Sequence, residues 1–211
     1  MASEVKTNKI SPATSTTVTL GDASDLFQLP ASAEIDIASG ATLDVNGTID
    51  VTGATLTGFP GLFSSYAVIE DQKTQGTEGG AFSSGAWRTR DLNTEVVDTD
   101  GIVSISSNQF TLAAGNYLIK WYVSANQVDT HLSQLYDITG TAAIEFGSSE
   151  DTQPTITVTN KSIGSTRVTP SGSNVYEIRH WCETTKASDG FGKATNFGVE
   201  SYCLVEIYKE S

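Results

Sequence analysis

Hydrophobic and polar positions alternate with a period of two along most of the chain, in short runs broken by Gly, Asn, Asp and Ser. The clearest run is "YLIKWYVS". Tyr117, Ile119, Trp121 and Val123 fall on one face, and Leu118, Lys120, Tyr122 and Ser124 on the other. Side chains on a strand point alternately to its two sides, so the first face reads as core and the second as partly wet. "AAG" at Ala113–Gly115 supplies the turn that leads Phe110–Leu112 into this strand. Other strands are expected from Tyr66, near Trp87, and over 132–138, 142–146, 155–159, 174–182 and 198–208. No stretch shows apolar residues at the i, i+3, i+4, i+7 spacing of an amphipathic helix. Many short strands separated by turn residues predict an all-β chain ending in a β-sandwich of jelly-roll type.

The first third reads differently. Residues 1–34 are polar with isolated apolar positions, as in an extended arm that is ordered only where it docks. Over residues 35–60 a six-residue step appears: Ile37, Leu43 and Ile49 follow it, Val45 and Val51 keep it, and Leu56 breaks it by one. Hexads suit the short faces of a parallel β-helix, where one triangular coil takes about 18 residues and several coils must stack. This segment holds little more than one coil, which alone leaves its backbone edges unpaired. Three chains, each giving one face per layer, would close an intertwined β-prism. Ile37, Leu43, Ile49 and Leu56 are the candidate trimer-axis residues of such a stalk, with a pair of ordinary hairpins as the competing reading. "GFPGLFSS" (Gly58–Ser65) forms the joint to the remaining domain, 61–211, which holds all three Trp.

Charge narrows the function classes. Twelve basic against 25 acidic residues give a net −13. No basic face is available to displace counterions from phosphates, so nucleic-acid binding is not expected. The N-terminus lacks the apolar core of a signal peptide, and the longest apolar-rich stretch is too short to span a bilayer, so no membrane insertion is expected and synthesis is placed in a cytoplasm. Cys182 and Cys203 read as free buried thiols, with a bridge between neighbouring strands as the alternative.

Candidate chemistry is sparse. No G-x-S-x-G, H-E-x-x-H or complete phosphate loop occurs, and "GFGKAT" at Gly190–Thr195 reads as a loop needing a positive φ. His180 shares a strand face with Cys182 and reads as a hydrogen-bonded structural histidine. His131 reads as a surface residue near Asp129. The acidic pairs Glu70–Asp71, Asp98–Asp100 and Glu150–Asp151 lack dense calcium-loop spacing. The expectation is therefore no enzyme, no catalytic residue, no metal and no cofactor.

"FTLAAGNYLIKWYVSANQVDTHLSQLYDITG" and "YEIRHWCETTKASDGFGKATNFGVESYCLVEIYK" resemble a β domain that recurs in bacteriophage fibre and virion proteins, similar in plan to the trimeric jelly roll of complement globular heads and tumour necrosis factor. "NKISPAT", "GDASD" and "LPASAEIDIASGATLDVNGTIDVTGATLTGF" resemble the leading segment of such proteins. The resemblance implies a homotrimer on the virion surface, assembled in the bacterial host cytoplasm. Its N-terminal arm would dock on other virion proteins of capsid or tail. Its head would meet a host cell-surface glycan or protein, through loops 71–86, 147–153 or 184–195. A capsid decoration protein that stabilises the head without a receptor is the alternative. No receptor-binding residue is assigned.

Overall fold

The computed structural model describes residues 37, 39–46 and 62–211, and the chain divides into two compact units, Met1–Leu56 and Thr57–Ser211. Ile37 and Leu43 are 43% and 65% exposed in the single chain. Ile49 and Leu56 lie outside the described residues, as do the arm and most of the hexad segment.

The second unit is built from eleven strands: β1 (Phe63–Lys73), β2 (Arg88–Thr89), β3 (Thr94–Val97), β4 (Val103–Ser106), β5 (Gln109–Leu112), β6 (Tyr117–Asn126), β7 (Asp129–Asp137), β8 (Ala142–Thr152), β9 (Thr159–Val168), β10 (Asn174–Cys182) and β11 (Glu200–Glu210). They form two antiparallel sheets, ordered β3-β1-β11-β6-β9 and β4-β5-β10-β7-β8, with β2 paired to β10. The first long strand pairs with the last, and the chain crosses between the sheets at every step except the hairpins β4–β5 and β7–β8. That is the strand order of a jelly roll.

The core lies between the sheets. The inward faces supply Ala67, Ile69, Ile119, Trp121, Val123, Val205 and Ile207 from the first sheet, and Phe110, Leu112, Leu135, Tyr176 and Ile178 from the second. On β6 the expected core face is fully enclosed. On its other face Leu118, Lys120 and Tyr122 are half-buried, but Ser124 is buried. Trp121 is the largest enclosed side chain. Its indole lies across the backbone of Gly164 on β9, where a Cβ would stand 1.9 Å from Cζ2. Its Nε1–H donates to Ser133 Oγ at 2.8 Å on the opposite sheet. Ser133 and Ser162 share a hydroxyl contact of 2.7 Å, and Ser162 Oγ donates to the Ser148 carbonyl at 2.7 Å.

One end of the sandwich is held by Arg90, which is fully buried. Its guanidinium donates to the carbonyls of Ser124 (3.1 Å), Phe191 (3.1 Å) and Tyr202 (2.8 Å) and stacks 4.0 Å from the Phe191 ring. Burial works against its charge and pulls its pKa down; the three carbonyls offset that cost.

Several expectations are corrected. The strand placed at 155–159 is β9, beginning at Thr159. Its inward positions include Ser162 and Gly164. They are small because Trp121 needs the room, so the apolar alternation that marks a strand is missing. Residues 147–152 belong to β8, and 71–73 to β1. The turn at Ala113–Gly115 does not form a hairpin; it carries the chain from β5 in one sheet to β6 in the other. The hairpin in this region is β4–β5, turned by Ser107 and Asn108, both at positive φ (54° and 65°), as a two-residue type I′ turn requires.

Replacing Gly164 with Ala should force the Trp121 ring out of place and cost about 1–3 kcal/mol, the usual scale of overpacking. Urea unfolding followed at far-UV and near-UV wavelengths measures it, and an unchanged midpoint would contradict the packing described.

Candidate functional site

The outer face of the first sheet is the candidate site, and its pattern follows from strand register. Three rungs cross it. Glu70, Leu204, Tyr122 and Ile163 form one; Val68, Glu206, Lys120 and Ser165 the next; Tyr66, Tyr208, Leu118 and Arg167 the third. The first and third are largely apolar or aromatic, and the second carries the charge. Lys120 Nζ lies 3.4 Å from Glu206 Oε2, and Tyr122 Oη donates to the same carboxylate at 3.4 Å. Tyr66 and Tyr208 stack with centroids 6.3 Å apart, and Phe63 packs on Tyr208 at 5.1 Å. At the lower edge Arg167 holds Glu210 through two bonds of 2.7 and 2.6 Å, which keeps the Glu210 carboxyl below its ordinary range.

Among the described residues, nothing covers this face. Tyr66 is 52% exposed and Ile163 46%, and Leu118, Tyr122, Leu204 and Tyr208 are half-buried. A cleft of about 390 Å³ beside Tyr122 and Leu204 reaches Lys161 and Tyr202. Contiguous apolar surface with an internal, self-paired charge row is the makeup of an association surface rather than of a reaction centre.

The structure places the other sequence-selected residues as follows. Cys182 and Cys203 are free and buried. They sit on β10 and β11, in different sheets, so the bridge between neighbouring strands is excluded. Burial pushes their thiols up to about 11 and about 12, which leaves them protonated and unreactive. His180 is enclosed, with Cys182 on the same face and Trp181 on the opposite one. His131 is not a surface residue. It is buried, with Nδ1 2.9 Å from His180 Nε2 and Nε2 2.6 Å from Asn160 Oδ1. Because the Asn160 oxygen accepts, His131 donates through Nε2; its Nδ1 then accepts from His180 Nε2–H. His180 Nδ1 has no partner. This pairing was not legible in sequence, since the two residues lie 49 positions apart and meet only through the register of β7 with β10.

Two of the three expected receptor loops are tied together instead of standing free. Gly79 N–H donates to the Gly192 carbonyl at 2.9 Å, and Phe82 pairs with Lys186. "GFGKAT" belongs to this lobe. Gly192 has φ +146°, and a Cβ there would lie 2.2 Å from the Tyr202 ring. Lys193 binds Glu78 at 2.5 Å and Asp189 at 3.4 Å, so its ammonium is already engaged. Among the described residues no group of three or more His, Cys, Asp or Glu is arranged to hold a metal ion.

No protein-family model and no curated protein matches the chain. Solved structures similar to it include the globular domain of zebrafish complement 1qA (10% identity, 68% of this chain and 95% of that one, TM-score 0.44). Others are murine APRIL at pH 8.0 (8% identity, 69% and 98%, TM-score 0.44) and the Eiger TNF of S. frugiperda (13% identity, 70% and 94%, TM-score 0.46). The description of this fold as a jelly roll stands on its own strand order.

The histidine pair makes stability depend on pH. Burial, then Arg90 and His131, hold His180 well below the ordinary histidine value, and burial also lowers His131. Below about pH 6.5 the unfolded chain therefore takes up protons that the folded chain refuses, and stability falls as pH falls, by at most about 1.4 kcal/mol per pH unit for each histidine. Asp71, raised by burial, acts in the opposite sense. Denaturant midpoints should drop between pH 7.5 and 5.5, and His180→Gln should flatten that slope; a flat wild-type profile would refute it.

Proposed function

We propose that this chain is the subunit of a homotrimeric bacteriophage surface protein. It forms a short fibre or spike, attached to the virion by its N-terminal arm, that presents the jelly roll for recognition of the host surface. The observation that carries the reading is the uncovered face formed by Tyr66, Leu118, Tyr122, Ile163, Leu204 and Tyr208. Obligate interfaces are large and rather apolar, and completing the burial of one aliphatic or aromatic side chain is worth up to roughly 1.5–3 kcal/mol. Three copies turned about one axis close the assembly, so growth stops at the trimer. The hexad segment before the domain supports the same symmetry, because one copy of it supplies too few layers to satisfy its own backbone. Self-paired charges such as Lys120–Glu206 fix the register of the packing.

The virion assignment draws on the resemblance of both the leading segment and the β domain to phage proteins. The reading gives the chain no reaction to catalyse; its work is assembly and recognition. Copies arranged around an axis repeat any binding surface three times, which converts weak single contacts into firm attachment.

Purified protein should sediment at three times the 22.3 kDa chain mass at micromolar concentration. Leu204→Asp, at the middle of the upper rung, should weaken association at least about 100-fold while leaving the β spectrum intact. A folded wild-type monomer under those conditions would remove the support for the assembly. Mass spectrometry of purified virions, with immuno-labelling of the C-terminus, tests the virion position.

A further inference from the structure

The outer face of the second sheet carries a different surface. Strand register brings Trp181 of β10, Leu132 of β7 and Ser149 of β8 into one row, and Gln134 and Phe146 into the next. Trp87, just before β2, reaches over this face, with its ring 5.9 Å from Trp181 and 6.1 Å from Phe146. Trp181 is 37% exposed and Phe146 50%. Beside Trp181 lies an open cleft of about 460 Å³, lined by Thr130, His131, Leu132, Ser149, Glu150 and Asp151 along with Trp181 itself.

We propose that this cleft and its aromatic row bind a neutral glycan, one hexose ring stacking on Trp181 while its hydroxyls reach Asp151, Ser149 and Thr130. The proposal rests on the surface-recognition part of the reading above and places that recognition on a face the association surface leaves open.

Three features select the ligand. Exposed indole and phenyl faces take an apolar, flat partner, and the C–H face of a pyranose is one. Carboxylates accept hydrogen bonds and donate none, whereas hydroxyls do both, so the polar wall asks for several donors set around a ring. The net charge of −13 opposes anionic sugars and phosphates. A compact cation would want rings closing round one point. Here Trp87 meets Trp181 edge-on at 65° and lies tilted 38° to Phe146, so the three touching rings make an open surface rather than a cage.

The wall is also held in place before a ligand arrives. Asn160 Nδ2 donates to the Asp151 carbonyl at 2.8 Å, while its Oδ1 takes the His131 N–H, and His131 is held in turn by His180. The buried histidine pair thus fixes the rim of the cleft, and preorganised sites lose less on binding. In the same row as Gln134 and Phe146, the Arg179 guanidinium sits 3.3 Å over the Tyr136 ring and pairs with Glu177 at 2.5 Å, so it is not free to draw an anion.

The test is calorimetric titration of the full chain. The probes are neutral oligosaccharides of glucose, galactose and N-acetylglucosamine, with sialyllactose, choline and tetralysine as charged comparisons. At least one neutral oligosaccharide should bind saturably with Kd of about 1 mM or tighter. Trp181→Ala should weaken it about tenfold or more, and Asp151→Asn should weaken it measurably. Phe146→Ala, at a more exposed position, carries the same test should Trp181→Ala fail to fold. Binding of no neutral sugar, equal binding by folded variants and wild type, or saturation by choline or tetralysine alone would each overturn the proposal. Sedimentation of the same samples separates the outcomes: a trimer that ignores sugars defeats the glycan site and spares the assembly, and a sugar-binding monomer does the reverse.

Discussion

The placement of the two outer faces relative to each other depends on how one indole is seated between the sheets. Trp121 rises from the first sheet, lies on the bare backbone of Gly164 beside it, and donates across the gap to Ser133. It therefore helps to set the separation and the relative slide of the two layers, together with the Ser133–Ser162 and His131–Asn160 contacts. An enclosed aromatic of this size buries about 150–250 Å², worth up to about 4–6 kcal/mol at 25 cal/mol per Å². The bond to Ser133 adds what area cannot: a direction. Shift the sheets by one residue and the rungs of the first face and the aromatic row of the second, each intact within its own sheet, would stand differently relative to one another.

The polar groups inside the sandwich serve the same end. Arg90, the two histidines and the Ser133–Ser162 contact each tie one strand or loop to another across the interior. A sandwich filled only with Val, Ile and Leu would tolerate several slides of nearly equal energy. Hydrogen bonds in a dry interior do not, because leaving such groups unmatched costs far more than a rearranged methyl. This gives two smooth sheets a single packing, and it places the rim of the candidate glycan cleft in direct connection with the core.

What could be read from sequence followed from periodicity. The faces of β6 and the span of β10 match the expectation because alternation of apolar and polar residues is strong there. The same reasoning failed at β9, where the core side is made of Ser and Gly that yield space to Trp121; a strand whose buried face is small looks like a loop. The cysteines were rightly read as free, but their placement in separate sheets depends on the jelly-roll crossover, which has no local signature. His131 was assigned to the surface for a similar reason, since Asp129 is near it in sequence while His180 and Asn160 are near it in space. The rungs of the association face and the row of Trp87, Trp181 and Phe146 need inter-strand register, so no single segment announces them.

The pairing of β1 with β11 has a consequence for biosynthesis. The strand that enters this sheet first in the chain, β1, waits for β11, across more than a hundred residues of intervening polypeptide. A nascent chain halted anywhere before Glu200 has no neighbour to place between β1 and β6, and both strands are left with open ladders. Closure waits for β11 and is slow in the manner of topologies dominated by distant contacts. Prematurely terminated products lack the central strand of the sheet, so they cannot complete the domain.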